Sequence, residues 1–169
     1  MRCSPLNAAL GLFVKVGDNE NKMEYPALLD AGMHNMTFSD LESVFVTPFE
    51  SNERRKILLS RLAAFTERLK EVPIDMEVWI DGSFATAKEN PGDIDLVVVC
   101  AETDVNNLPP EKQKILEELF GNQKHTKLRY ECDAYFILDN FHDKSYWRGL
   151  FGFDRNEQPK GIARLRMVA

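Results

Sequence analysis

Apolar residues along the chain fall in two rhythms. Met76 to Ile80 and Leu96 to Val99 are short apolar runs bounded by Gly82-Ser83 and Pro91-Gly92, and both read as buried strands. Ile57, Leu58, Leu62, Phe65 and Leu69 recur at helical spacing instead. They predict a helix from Glu53 to about Lys70, capped by Ser51 or Asn52 and separated by Pro73 from the strand that follows. Ile115, Leu116 and Leu119 make one face of another helix, Glu111 to Phe120, entered through Pro109-Pro110 and stopped by Gly121. Ser39-Asp40-Leu41-Glu42 has the form of a capping box, which predicts a short helix with Ser39 as N-cap, running through Phe45 and ended by Pro48.

Weaker signals fill the rest. Tyr130 to Leu138 reads as a strand, Asp143 to Leu150 as a helix, and the alternating last six residues of Lys160 to Arg166 as a final strand. Ala101 to Leu108 reads as a polar loop. In the N-terminal arm Ala9 to Val16 suggests a short strand, Gly17 to Asn21 a loop, and Tyr25 to Leu29 an extended segment. The length, 169 residues, predicts a single domain with its core at about 53–140 and an extension at either end.

Composition narrows the partners. The net charge of −6 argues against extensive binding of duplex DNA, which favours basic surfaces, and leaves room for contact with one nucleic-acid end. No stretch reaches the ~18 apolar residues of a membrane span, and the N-terminus lacks a signal-peptide layout, so no membrane partner is expected. Cys3, Cys100 and Cys132 are few and without metal-ligand spacing, as suits reduced thiols in a cytoplasmic protein. His34, His125 and His142 are scattered, and no triad or zinc set emerges.

The chemistry concentrates between Val78 and Cys100. Asp93 and Asp95 flank Ile94 at the mouth of an apolar strand, so both carboxylates project from one face, about 7 Å apart. Like charges so placed repel unless a cation sits between them, and Mg²⁺ takes one or two carboxylates plus water and substrate phosphate. At the end of the preceding strand Gly82 permits close approach of a phosphate, and Ser83 is a candidate cap for a short turn over Phe84 to Ala87. A solvated turn at Asp81-Gly82 is the bland alternative, and it leaves the paired aspartates without an explanation. A dehalogenase-type phosphatase would carry its Asp-x-Asp after the apolar strand rather than before it. A serine hydrolase would need glycines framing Ser83, and Asp81 and Ala85 stand there instead.

The pattern Asp81-Gly82-Ser83, the gap Phe84 to Gly92, and Asp93-Ile94-Asp95-Leu96 resembles the nucleotidyltransferase superfamily of the DNA polymerase β type. The resemblance covers Val78 to Val99 and extends loosely to Asp133; Asp81 departs from it, since an apolar residue usually precedes that glycine. It implies an α/β (α+β) fold, a small mixed sheet with helices mainly on one face. It also implies a third carboxylate on a neighbouring strand, for which Asp133 is the candidate and Glu131, on the same face by parity, the runner-up. The implied activity is transfer of a nucleoside monophosphate from a nucleoside triphosphate such as ATP to a hydroxyl acceptor, with release of pyrophosphate. Asp93, Asp95 and Asp133 would hold Mg²⁺ or Mn²⁺ and carry the catalysis, with Gly82, Ser83 and Lys160 on the triphosphate and Arg155 a further candidate. The acceptor is a protein, a tRNA end or a small molecule. The flanks look like those of small stand-alone bacterial or phage proteins of this type, found near toxin–antitoxin or defence systems, which implies a cognate antitoxin as a partner. A non-catalytic nucleotide-binding module acting through a partner protein is the alternative.

The Arg54-Arg55-Lys56 run reads equally as a solvated helix start or as a phosphate contact. The aromatic residues Tyr146, Trp147, Phe151 and Phe153 read as core or interface.

Overall fold

β-Branched residues crowd the middle of the sheet. In the computed structural model, which describes residues 23–169, strand β3 (Ile94–Cys100) is buried along its whole length and lies between two partners. On one side it pairs antiparallel with β2 (Met76–Asp81), and on the other it runs parallel to β4 (Cys132–Leu138). Strand β5 (Gly161–Met167) pairs antiparallel with β2, and β1 (Gly32–Asn35) closes the edge parallel to β5. The order is β1-β5-β2-β3-β4, a mixed sheet, and with six α-helices among the described residues the fold is α+β.

The two faces of the sheet are covered unequally. Val78 and Ile80 of β2, Leu96 and Val98 of β3, and Ala134 of β4 face a large core filled by Leu41, Phe45, Leu58, Leu62, Phe65, Leu116 and Leu119. Those residues come from α1 (Phe38–Phe45), α2 (Glu53–Leu69) and α4 (Pro110–Phe120). The alternate residues Trp79, Val97, Val99, Ile137 and Ile162 meet Trp147 and Phe151 of a single helix, α6 (Phe141–Phe151). Period-two alternation is what separates the two sets.

Several elements depart from the sequence reading. Helix α1 is capped by Thr37 rather than Ser39: the Asp40 N–H donates to Thr37 Oγ1 at 3.2 Å and the Thr37 N–H donates back to the Asp40 carboxylate at 2.7 Å. Ile57 belongs to no core and is 48 % exposed, while Arg55 takes its place on the stripe with Leu58, Leu62, Phe65 and Leu69. The segment expected as a polar loop holds helix α3 (Glu102–Asn106), which buries only Val105 and so leaves no periodic signal. Tyr130 ends a helix, α5 (Gln123–Tyr130), instead of opening a strand. That helix buries only Thr126 and Tyr130 and leaves Leu128 exposed, which hides it from any hydrophobic pattern.

Strand β1 was not foreseen, and the segment read as extended lies just before it. There the Leu28 N–H donates to Ala85 O at 3.0 Å and the Ala87 N–H to Pro26 O at 2.8 Å, docking the arm on the β2–β3 connection. The expected strand over Ala9 to Val16 lies outside the described residues.

Candidate functional site

Strand pairing builds the site. Asp81 ends β2 opposite Asp95 of β3, and Asp95 stands opposite Asp133 of β4. Residues paired across a sheet share a face, so three carboxylates from three strands form one transverse row. By alternation the row lies on the face with the single helix, beyond the Trp79, Val97 and Ile137 layer that α6 covers. Asp93, two residues before Asp95, adds a fourth carboxylate at the sheet's end. Asp81 and Asp95 are buried, whereas the Asp93 and Asp133 side chains are about a quarter exposed, at 25 % and 24 %.

Two lysines answer these charges. Lys160, just before β5, places its ammonium on both Asp81 oxygens, at 2.7 and 2.9 Å. Burial pushes the Asp81 carboxyl up to about 6, against the pull of Lys160 and the Gly82 N–H, with the Asp95 charge adding to the rise. Lys127, on α5, reaches Asp93 Oδ2 at 2.7 Å and Asp133 Oδ2 at 2.8 Å. Those two oxygens therefore lie no further apart than the two contacts combined, about 5.5 Å. Burial pulls the Lys127 pKa down, but hydrogen bonds and charge from Asp133 and Asp93 outweigh it and hold the ammonium above the usual lysine range.

Gly82 joins the row from the backbone. Its φ of 79° and ψ of −163° suit only glycine, and a Cβ there would stand 2.0 Å from Asp95 Oδ2. The Asp95 carboxylate thus lies directly against the Gly82 backbone. Ser83 does not cap this turn. It is the first residue of a single 3₁₀ turn, Ser83–Ala85, whose cap position Gly82 offers no side chain.

The arginines at the start of α2 hold the connection between the two strands. Arg55 is fully buried, and its guanidinium donates to the carbonyls of Phe45 (2.8 Å), Phe84 (2.7 Å), Thr86 (2.6 Å) and Lys88 (2.5 Å). It stacks 3.7 Å from the Phe49 ring centroid, and burial lowers its pKa to about 10, which leaves it charged at neutral pH. Arg54 donates to Pro91 O at 3.1 Å, to Gly92 O, and to the Glu131 carboxylate at 2.8 Å. Arg54 and Arg55 contact backbone carbonyls and Glu131, so the freely solvated helix start does not hold for them.

Glu131 does not share a strand face with Asp133. It sits in the left-handed region at φ 53° as the C-cap of α5, and its carboxylate meets Arg54 and Arg61. Its carbonyl accepts the Ile94 N–H at 3.1 Å. Arg54 and Glu131 together tie the entrance of β3 to that of β4, next to Asp93 and Asp133. Arg155 lies 3.9 Å from Glu24.

Among the described residues no three His, Cys, Asp or Glu side chains converge as a metal-binding group. Asp93 and Asp133 do converge, on Lys127, and two carboxylate oxygens so disposed match the one or two that Mg²⁺ takes beside water and phosphate. Sequence reasoning missed Lys127, Asp81 as a member of the row, and the arginine clamp. Two of these had left a signal: Arg55 by its place on the apolar stripe of α2, and Asp81 by standing where an apolar residue was expected.

No helix among the described residues is long and apolar enough to cross a membrane. Comparison with curated proteins finds no match, and comparison with solved structures finds none either. A family model does match, over residues 22–166, and by that match the chain belongs to DUF6932, a family of unknown function.

Proposed function

We propose that the protein is a Mg²⁺- or Mn²⁺-dependent nucleotidyltransferase that moves a nucleoside monophosphate from a nucleoside triphosphate to a hydroxyl acceptor. The observation that carries this reading is the row of Asp81, Asp95 and Asp133 across three strands, with Asp93 beside it and Gly82 backed against Asp95. Like charges gathered at one sheet end repel one another, and groups perturbed in this way cluster at functional sites.

In this reading Asp93 and Asp133, the two carboxylates that converge, would hold the metal, with Asp95 beside them in the row, and the bound metal would neutralise charge developing on the transferred phosphoryl group. The Gly82-Ser83 backbone and the Ser83 hydroxyl take the triphosphate. The acceptor oxygen attacks the α-phosphorus, the bond to the bridging oxygen breaks and pyrophosphate leaves, while a carboxylate of the row receives the hydroxyl proton. The Asp81–Lys160 ion pair holds the end of β2 in place beneath the Gly82 turn. Lys160 is thus assigned to Asp81 rather than directly to phosphate. Cys100 and Cys132 are buried, and burial drives both thiols up, so neither serves as a nucleophile. Reduced thiols of this kind fit a cytoplasmic setting.

The acceptor class is a protein, a tRNA end or a small molecule, and one experiment addresses it together with the activity. The purified chain is incubated with α-labelled triphosphates, Mg²⁺ or Mn²⁺ and a whole-cell lysate, and label and pyrophosphate are followed. Transfer of label by wild type and its loss in Asp95→Asn is the expected result. Transfer that survives in Asp95→Asn, or no transfer with any triphosphate, overturns the reading. The second reading, a non-catalytic nucleotide-binding module, is favoured by Lys127, which already neutralises two of the carboxylates. Triphosphate binding without any pyrophosphate release would select it.

A further inference from the structure

Lys127 stands where the site's two most accessible carboxylates meet. Its ammonium contacts Asp93 at 2.7 Å and Asp133 at 2.8 Å, and the three residues come from three separate elements: α5, the entrance of β3, and β4. Carboxylate oxygens turned toward one ammonium are also turned toward any divalent cation entering between them. The two cations exclude each other there, because each needs the same lone pairs and like charges repel at contact distance. The lysine side chain is 48 % exposed, so its ammonium has a path to water that requires no unfolding of the sheet.

We propose that Lys127 is the site's internal counter-ion and sets its cation affinity: a divalent cation binds by displacing the Lys127 ammonium from Asp93 and Asp133. The proposal rests on reading these carboxylates as a metal site. Without metal the lysine relieves the repulsion between them and keeps both strand entrances in register. With metal it is released to solvent, beside the anionic ligand that the metal brings.

The test is a Mn²⁺ titration of the full chain, followed by electron paramagnetic resonance, on wild type, Lys127→Met, Asp93→Asn and the double variant. Lys127→Met should bind Mn²⁺ about tenfold more tightly than wild type, the scale set by two partly exposed ion pairs. Adding Asp93→Asn should abolish that gain. Mn²⁺ should also raise the melting temperature of Lys127→Met more than that of wild type. Lys127→Gln repeats the comparison should the methionine variant fold poorly. Equal or weaker Mn²⁺ binding in the Lys127 variants, with binding still lost in Asp93→Asn, overturns the counter-ion role and leaves the metal site standing. Absence of Mn²⁺ binding in every variant, or binding indifferent to Asp93→Asn, overturns both.

Discussion

Replacing Gly82 by alanine places a methyl group where the Asp95 carboxylate already is. Two costs follow. The backbone, at φ 79° and ψ −163°, lies in a region that costs an L-residue about 1–3 kcal/mol. The new Cβ would also stand 2.0 Å from Asp95 Oδ2 and 2.8 Å from its Cγ, so the carboxylate must turn away. Asp95 is only 8 % exposed, and displacing a buried polar group from its partners costs about 1–3 kcal/mol more. The combined loss is about 2–6 kcal/mol. In a chain of this size each kcal/mol lowers the melting temperature by roughly 2–4 °C, so Gly82→Ala should melt roughly 4–24 °C below wild type. Gly92→Ala is the control. No heavy atom lies within 4 Å of its Cβ position and its φ is not positive, so it should melt within about 2 °C of wild type or slightly above it. Scanning calorimetry of the three proteins decides the matter. Equal melting temperatures for Gly82→Ala and Gly92→Ala would refute the placement of Asp95 against the turn.

Two further substitutions probe the supports of the site. Arg55→Met strips four carbonyls of their donor inside the core and should cost about 3–5 kcal/mol in urea denaturation, whereas Lys56→Met on the exposed side should stay within about 0.5 kcal/mol; similar losses in both would refute the clamp. Asp81 has its pKa raised from 3.8 to about 6, so folding favours its neutral form: the stability it adds is complete below pH 3.8 and is lost as pH rises through about 6. The stability of wild type relative to the double variant Asp81→Asn/Lys160→Met should therefore fall by about 2–3 kcal/mol between pH 4 and 7.5. A difference that is flat with pH would show that burial does not dominate at Asp81.

What could be read from the chain alone was local. The runs Met76 to Ile80 and Leu96 to Val99 declare their strands because four apolar residues between turn residues have few other ways to be buried. The same holds for α2 and α4, whose stripes repeat often enough to be recognised. Helices α3 and α5 left no such trace, because each buries so little that its residues show no period. The parity argument linking Glu131 to Asp133 failed for a related reason: the left-handed residue at 131 ends a helix, so the alternation begins only at Cys132. Register between distant segments belonged to the tertiary structure. Pairing of β2 with β3 and of β3 with β4 turned Asp81 from an apparent strand end into one of three aligned carboxylates. Folding also brought Lys160 to Asp81 across 79 positions and Arg54 to Glu131 across 77. Charges at such separations meet only because the sheet and its helices bury apolar surface together, and nothing in the neighbouring residues encodes the meeting.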